Sequence, residues 1–217
     1  MIFPLPPLRT GPRSTRSFIL QSAYWNLAAL YRRTLATRTR VVAVTGSFGK
    51  TTTAGALGAA LGCRNDWLLG YNAGRHIASH LLAIRPGERH RVIETAIEGS
   101  GQIETYARLI RPDIAVVTCI GSEHNRTFRT LEATRAEKLK LVLALPPHGT
   151  AFFNGDDPHV RWMAEQTNVK KVFFGLGPKN DVRAEDIRRE ADGTISFTLV
   201  AHDARKEVRT RHIGRHQ

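Results

Sequence analysis

The stretch Val41–Thr51, Val-Val-Ala-Val-Thr-Gly-Ser-Phe-Gly-Lys-Thr, constrains the fold more than any other part of the chain. A β-prone run enters a tight glycine turn, and Lys50-Thr51 then opens an Ala-rich segment from Thr52 to Leu61. The pattern predicts strand, loop and helix. It brings backbone N–H groups, the positive end of a helix dipole and a lysine to one place, which is what a phosphate group requires. Gly46 and Gly49 enclose only two residues, so the loop is shorter than the usual phosphate loop. The flanking strand and helix therefore carry the reading, against the bland alternative of a turn that happens to contain lysine.

From Val41 onward strands and helices alternate. Strand 41–45 leads to helix 51–61, and an apolar piece at 67–69 precedes helix 75–84. Strand 91–96, helix 102–110 and strand 114–120 follow, then helix 131–145, which stops at Pro146-Pro147. Strand 150–153 comes next. Asp157-Pro158 reads as an N-cap with proline at the first helical position, opening a helix to Gln166 before strand 171–174. This order predicts an α/β fold, a mostly parallel sheet with helices on both faces, of the P-loop NTPase kind. Beyond it, Ala191-Asp192-Gly193 turns a polar strand into 194–201, an antiparallel edge near the C-terminus.

Residues 1–40 carry seven arginines and no acid. Leu20, Tyr24, Leu27, Tyr31 and Leu35 recur at helical steps, with Ser22, Asn26 and Arg33 on another side, predicting an amphipathic helix. It is too short and polar to span a bilayer. The leading expectation is that residues 17–36 pack on the following domain. Trp25 and the arginines also admit peripheral contact with a membrane, and the acid-poor start admits a transit peptide. The net charge of +13 is compatible with polyanionic partners, but the basic residues are dispersed. No stretch interleaves them with aromatics, which argues against nucleic acid. Cys63 and Cys119 have no metal-ligand spacing and read as buried thiols of a reducing, cytoplasmic compartment.

Ligands of open parallel sheets sit beyond the carboxyl ends of the strands. Lys50, Glu94 and His124 all fall at or near such ends. A carboxylate and an imidazole beside a phosphate could hold a divalent cation. Magnesium prefers oxygen, and manganese would accept the histidine as well. Singly, Glu94 reads equally as a polar strand end and His124 as a loop residue. Lys138 stands in the apolar row Leu131, Thr134, Lys138, Leu141, Leu145, whereas Lys140 shares a side with Ala133, Glu137 and Ala144. An inward lysine pairs with an acid, loses its proton or is modified, unless it snorkels to solvent.

Val44-Thr-Gly-Ser-Phe-Gly-Lys-Thr-Thr-Thr53 resembles the ATP loop of the Mur ligase family, enzymes that add amino acids or peptides during peptidoglycan assembly. Ile93-Glu94-Thr95-Ala96 with Gly101-Gln102-Ile103 resembles the strand-end glutamate and glycine turn of that family. Asp113 to His124, Phe128 and Ala136-Glu137-Lys138 resemble its histidine-to-lysine segment. Phe153-Asn-Gly-Asp-Asp-Pro158 resembles the strand and Asn-x-Asp-Asp turn that follow. The branch joining a dipeptide to the muramyl tripeptide is nearest, and the likeness covers residues 41–217.

The resemblance implies an ATP-dependent carboxylate–amine ligase acting through an acyl phosphate, with ATP and an amino-acid or peptide-type substrate pair as partners. It implies that Gly46, Ser47, Phe48, Gly49, Lys50, Thr51 and Thr52 form the ATP loop, with the Thr51 hydroxyl on Mg2+. Glu94 and His124 would hold a second Mg2+, bridged to a carbamate on Lys138. The catalytic set is then Lys50, Lys138 and His124. Asn72 matches the substrate-loop asparagine, and Asp156 and Asp157 read as turn and cap residues. The expected organisation is a basic extension, 1–40, and a central ATP-binding domain, 41–217, incomplete at its C-terminal end. The nucleotide-gripping N-terminal domain and the amine-presenting C-terminal domain of the family are not expected within these residues. The other readings are a non-catalytic nucleotide-binding or membrane-associated subunit, or a ligase of the poly-γ-glutamate type.

Overall fold

The computed structural model describes residues 15–63, 75–97, 99–122 and 128–210. The chain starts with helix α1 (Thr15–Thr34), strand β1 (Arg40–Thr45) and helix α2 (Lys50–Ala60). Helix α3 (Arg75–Leu82), strand β2 (His90–Glu94), helix α4 (Gln102–Ile110) and strand β3 (Ile114–Val117) follow. Next come helix α5 (Leu131–Leu143), strand β4 (Thr150–Asn154), helix α6 (Pro158–Glu165) and strand β5 (Lys170–Gly175). The described chain closes with β6 (Val182–Arg189), β7 (Ile195–Ala201) and β8 (Ala204–Thr210).

The strands form one sheet in the order β2-β1-β3-β4-β5-β6-β7-β8. Pairing is parallel from β2 through β6 and antiparallel between β6, β7 and β8. The strand β1 lies between β2 and β3, so the chain crosses it after β2 and continues on its other side. The carboxyl end of β1 is therefore the switch point where open sheets bind ligands.

Successive residues of β1 serve opposite cores. Val41 and Ala43 pack with Trp25, Ile77, Leu81, Ile93 and Tyr106 beneath α1, α3 and α4. Val42 and Val44 pack with Ala54 and Leu57 of α2. Burial on both faces is what the near-continuous apolar run requires. A separate cluster joins β3 and β4 to α5 and α6 through Val117, Phe153, Leu139, Val160 and Met163.

Helix α1 packs on the domain as expected, but with a different face. Trp25, Ala28, Ala29 and Ala36 are buried, while Leu20, Leu27 and Leu35 of the predicted row are 65%, 54% and 74% exposed. The alanines let the helix approach closely and Trp25 fills the remaining space against Tyr106, with ring centroids 6.1 Å apart. Tyr24 and Tyr31 flank this contact, with hydroxyls bonded to Ser79 Oγ at 3.0 Å and to the Ile84 carbonyl at 2.6 Å. The predicted row is offset from the buried face and meets it only through Tyr24 and Tyr31.

Arg32 fastens the same helix. Its Nε donates to the Ile110 carbonyl at 3.0 Å, and its two terminal nitrogens donate to Ala36, Thr39 and Arg111 carbonyls and to Asp113 Oδ2. Burial pushes the guanidinium below its ordinary pKa, and the adjacent Asp113 carboxylate opposes that shift. The end of α1, the C-terminus of α4 and the start of β3 thus share one cation.

Two further expectations need correction, and one strand was not expected. The strand at β3 ends at Val117 rather than Ile120, because Thr118 and Cys119 turn their polar groups toward the loop after β1. The strand β8 has no counterpart in the sequence reading. It is an exposed edge whose charged residues suppress apolar alternation. Cys63 and Cys119 are half-buried rather than buried. Cys63 donates to the His90 carbonyl at 3.3 Å, and burial pushes its thiol pKa up. The expected apolar piece at 67–69 lies outside the described residues. Among those described, no helix is long and apolar enough to cross a membrane.

Candidate functional site

The loop after β1 is held in place by its carbonyls. Lys138 Nζ, almost fully buried on α5, donates to the Gly46 carbonyl at 2.7 Å. Lys50 Nζ donates to the Ser47 carbonyl at 2.8 Å, and Thr118 Oγ1 donates to the Phe48 carbonyl at 2.6 Å. The Gly49 carbonyl accepts from Thr53 N at 2.9 Å as the first turn of α2 closes. Lys138 thus faces inward, as its place in the apolar row predicts. Its neighbour Lys140 pairs with buried Glu137 at 2.6 Å, an ion pair that anchors α5 beside Ile103 N of α4.

Two glycines give the loop its path. Gly46 has φ 146°, and a Cβ there would lie 1.9 Å from Thr118 Oγ1. Gly49, at φ 76°, is the N-cap of α2 and offers no side-chain cap. Helices α5 and α6 are capped by Thr130 and Asp157, whereas α4, like α2, starts on a left-handed glycine without a side-chain cap. The N-terminal amides of α2 therefore stand over a pair of conformationally special glycines without a protein oxygen from the cap position. That arrangement fits an anion such as phosphate.

Thr51 Oγ1, in the first turn of α2, donates to Glu94 Oε2 at 2.8 Å. Glu94 ends β2 and is buried. A hydroxyl and a carboxylate at this loop are oxygen donors of the kind that magnesium takes. No group of three or more His, Cys, Asp and Glu able to hold a metal occurs among the described residues. Ser47 sends its hydroxyl to the Gly121 carbonyl at 3.1 Å and its N–H to the Cys119 carbonyl at 2.7 Å. The Phe48 side chain is exposed and lies over Gly121, where a Cβ would meet its ring at 2.5 Å.

The neighbouring strand ends are clamped by acids. Asp157 Oδ1 caps α6, and its Oδ2 accepts from Ile120 N at 2.7 Å, joining the β3 and β4 loops. Asp156 accepts from Leu176 N, Gly177 N and Asn180 Nδ2. Burial pushes the Asp156 carboxyl up, but these donors outweigh it and hold the pKa below the usual value.

A family description, the Mur ligase middle domain, matches residues 44–217. The chain belongs to the Mur ligase family. The UDP-N-acetylmuramoyl-tripeptide–D-alanyl-D-alanine ligase of Bacillus subtilis is 32% identical over 181 residues, which are 82% of this chain and 38% of that protein. The crystal structure of MurF from Acinetobacter baumannii superposes with a TM-score of 0.80 at 25% identity, over 90% of this chain and 43% of that one. MurF from Thermotoga maritima, solved in complex with ADP, gives a TM-score of 0.74 at 25% identity, over 93% of this chain and 47% of that one. The chain thus spans less than half the length of these Mur ligases.

Of the residues that the Mur ligase resemblance singles out, the structure gathers Gly46 to Thr51, Glu94 and Lys138 around one loop, with Thr52 in the first turn of α2. His124 and Asn72 lie outside the described residues. Thr118 was not singled out, nor was the Asp157 contact with Ile120. Both depend on which strands are neighbours, and no local pattern carries that information.

Proposed function

We propose that this chain is the nucleotide-binding core of a Mur-type ligase, which joins a carboxylate to an amine at the expense of ATP in peptidoglycan precursor synthesis. The observation that carries the reading is the loop itself, whose carbonyls are tied back to the protein while the amides of α2 lack a side-chain cap. Gly46 to Thr52 bind the phosphates, and the Lys50 ammonium neutralises them once it leaves the Ser47 carbonyl. Bound magnesium adds positive charge at the phosphates, with Thr51 and Glu94 as residues for one ion and Glu94, His124 and Lys138 for a second. The donor carboxylate attacks the γ-phosphate and ADP leaves. The amine then displaces phosphate from the acyl group to give an amide.

For Lys138 the reading requires that Nζ lose its proton, give up its bond to the Gly46 carbonyl and add to the carbon of carbon dioxide, releasing a second proton as the carbamate forms. Crystals grown with bicarbonate, nucleotide and magnesium should show extra planar density on Nζ. An unmodified Lys138 still bonded to Gly46 beside a bound metal would reject this role.

The 217 residues alone should bind nucleotide yet form no amide, because an acyl phosphate needs shielding and an oriented amine. Mass spectrometry after incubation with ATP, magnesium and candidate substrate pairs tests this. An amide made without any added partner would contradict it.

A second reading concerns α1. Its inner face is locked onto the domain, yet Leu20, Leu27, Leu30 and Leu35 remain exposed within a segment rich in arginine. Such a face suits peripheral contact with an anionic bilayer. Flotation with phosphatidylglycerol vesicles should be salt-sensitive and weakened by Leu27→Ser with Leu30→Ser. Equal behaviour with and without vesicles would dismiss the contact.

A further inference from the structure

Thr118 lies in the segment Asp113–His124 without a role assigned from the sequence, but it meets the loop after β1 at two points. Its Oγ1 donates to the Phe48 carbonyl at 2.6 Å and occupies the space that a Gly46 Cβ would fill. A contact from the same oxygen to the Thr45 carbonyl is longer, at 3.3 Å. A hydroxyl has a single proton, so the shorter contact takes it. We propose that Thr118 is a positioning residue for nucleotide binding, fixing the direction of the Gly49 amide through the Phe48–Gly49 peptide. The inference rests on the phosphate-binding role of the loop.

The geometry works through peptide planarity. In a trans peptide the C=O and the following N–H point in opposite directions. Holding the Phe48 carbonyl toward Thr118 therefore turns the Gly49 N–H away from the strand β3 side. Gly49 is the N-cap of α2, at φ 76°, and without a side chain it has unusual freedom to rotate this peptide. Lys50 and Lys138 hold the two preceding carbonyls, but neither acts on the Phe48–Gly49 plane. Cys119 Sγ approaches the same carbonyl at 3.5 Å, and a thiol is a weak donor. Thr118 is the stronger hold on that plane. Its placement is independent of side-chain exchange at the hydroxyl, because its own N–H pairs with the Thr45 carbonyl at 3.0 Å.

Thr118→Val keeps the branched shape and removes the hydroxyl, whereas Thr118→Ser keeps the hydroxyl and removes a methyl. The test titrates the wild-type chain and both variants with magnesium and a non-hydrolysable ATP analogue, and follows the Gly49 amide by nuclear magnetic resonance. Thr118→Val should bind about tenfold or more weakly, with a displaced Gly49 resonance before ligand is added, while Thr118→Ser stays within about threefold of wild type. Thermal unfolding of each variant separates a loss of fold from a loss of orientation. If Thr118→Val does not fold, Thr118→Ala carries the same expectation. Wild-type affinity in a folded variant without the hydroxyl overturns the inference, as does equal loss in Thr118→Ser. No binding by the wild-type chain would overturn the phosphate-loop reading itself, and this inference with it.

Discussion

Replacing Arg32 with methionine should destabilise the domain by about 1.5–3 kcal/mol, the range for losing hydrogen bonds to a charged group, because Arg32 is buried while its partner Asp113 is part-exposed. The side chain is nearly inaccessible, and its nitrogens serve carbonyls of Ala36, Thr39, Ile110 and Arg111 as well as Asp113. Methionine fills similar length but leaves those acceptors and a carboxylate without the cation. Asp113 would keep its bond from Val41 N at 2.8 Å, so β1 and β3 remain pinned while α1 loosens. Arg32→Lys should recover little, since one ammonium cannot reproduce the planar fork. Chemical denaturation of the three proteins gives the answer directly. A loss under about 1 kcal/mol for the methionine variant would show that the network is no more than a surface pair in effect.

Gly46→Ala should abolish measurable nucleotide binding while leaving most of the fold intact. The added Cβ would fall 1.9 Å from Thr118 Oγ1 and 3.1 Å from backbone atoms of Cys119, at a φ of 146° that L residues rarely adopt. Backbone strain of this kind costs about 1–3 kcal/mol, before the displaced hydroxyl is considered. The loop can relieve both only by moving its own peptide planes, which are the groups proposed to meet the phosphate. The cores beneath α1, α5 and α6 do not contain Gly46, so circular dichroism should remain native. Wild-type affinity in the alanine variant would mean that the loop path seen here is not the one that binds.

The alternation of strands and helices was legible because β1 and β3 are near-continuous apolar runs and the breaks between elements carry glycine, proline or a cap. Helix α4 begins and ends where the sequence places it, between the left-handed Gly101 and Arg111. Asp157-Pro158 is the cap and first residue of α6. Lys138 was legible as an inward lysine because helical periodicity fixes its side. The face of α1 was misread for the complementary reason, that leucines carry the visible pattern while alanines permit the closest packing. Thr118 could not be found in this way. Its role arises from β1 and β3 lying side by side, with Thr45 opposite Val117, a pairing set by tertiary topology. The edge strand β8 escaped notice because a charged edge has no apolar period to read.

The central claim is that the loop after β1 binds the phosphates of ATP with Lys50 as their cation. Calorimetric titration of the wild-type chain and Lys50→Ala with magnesium and a non-hydrolysable ATP analogue tests it most directly. A charged hydrogen bond of this kind is worth about 1.5–3 kcal/mol, so the alanine variant should bind at least about tenfold more weakly. Thermal unfolding of both proteins separates a loss of the ligand contact from a loss of fold. Equal affinity in the two proteins would contradict the assignment.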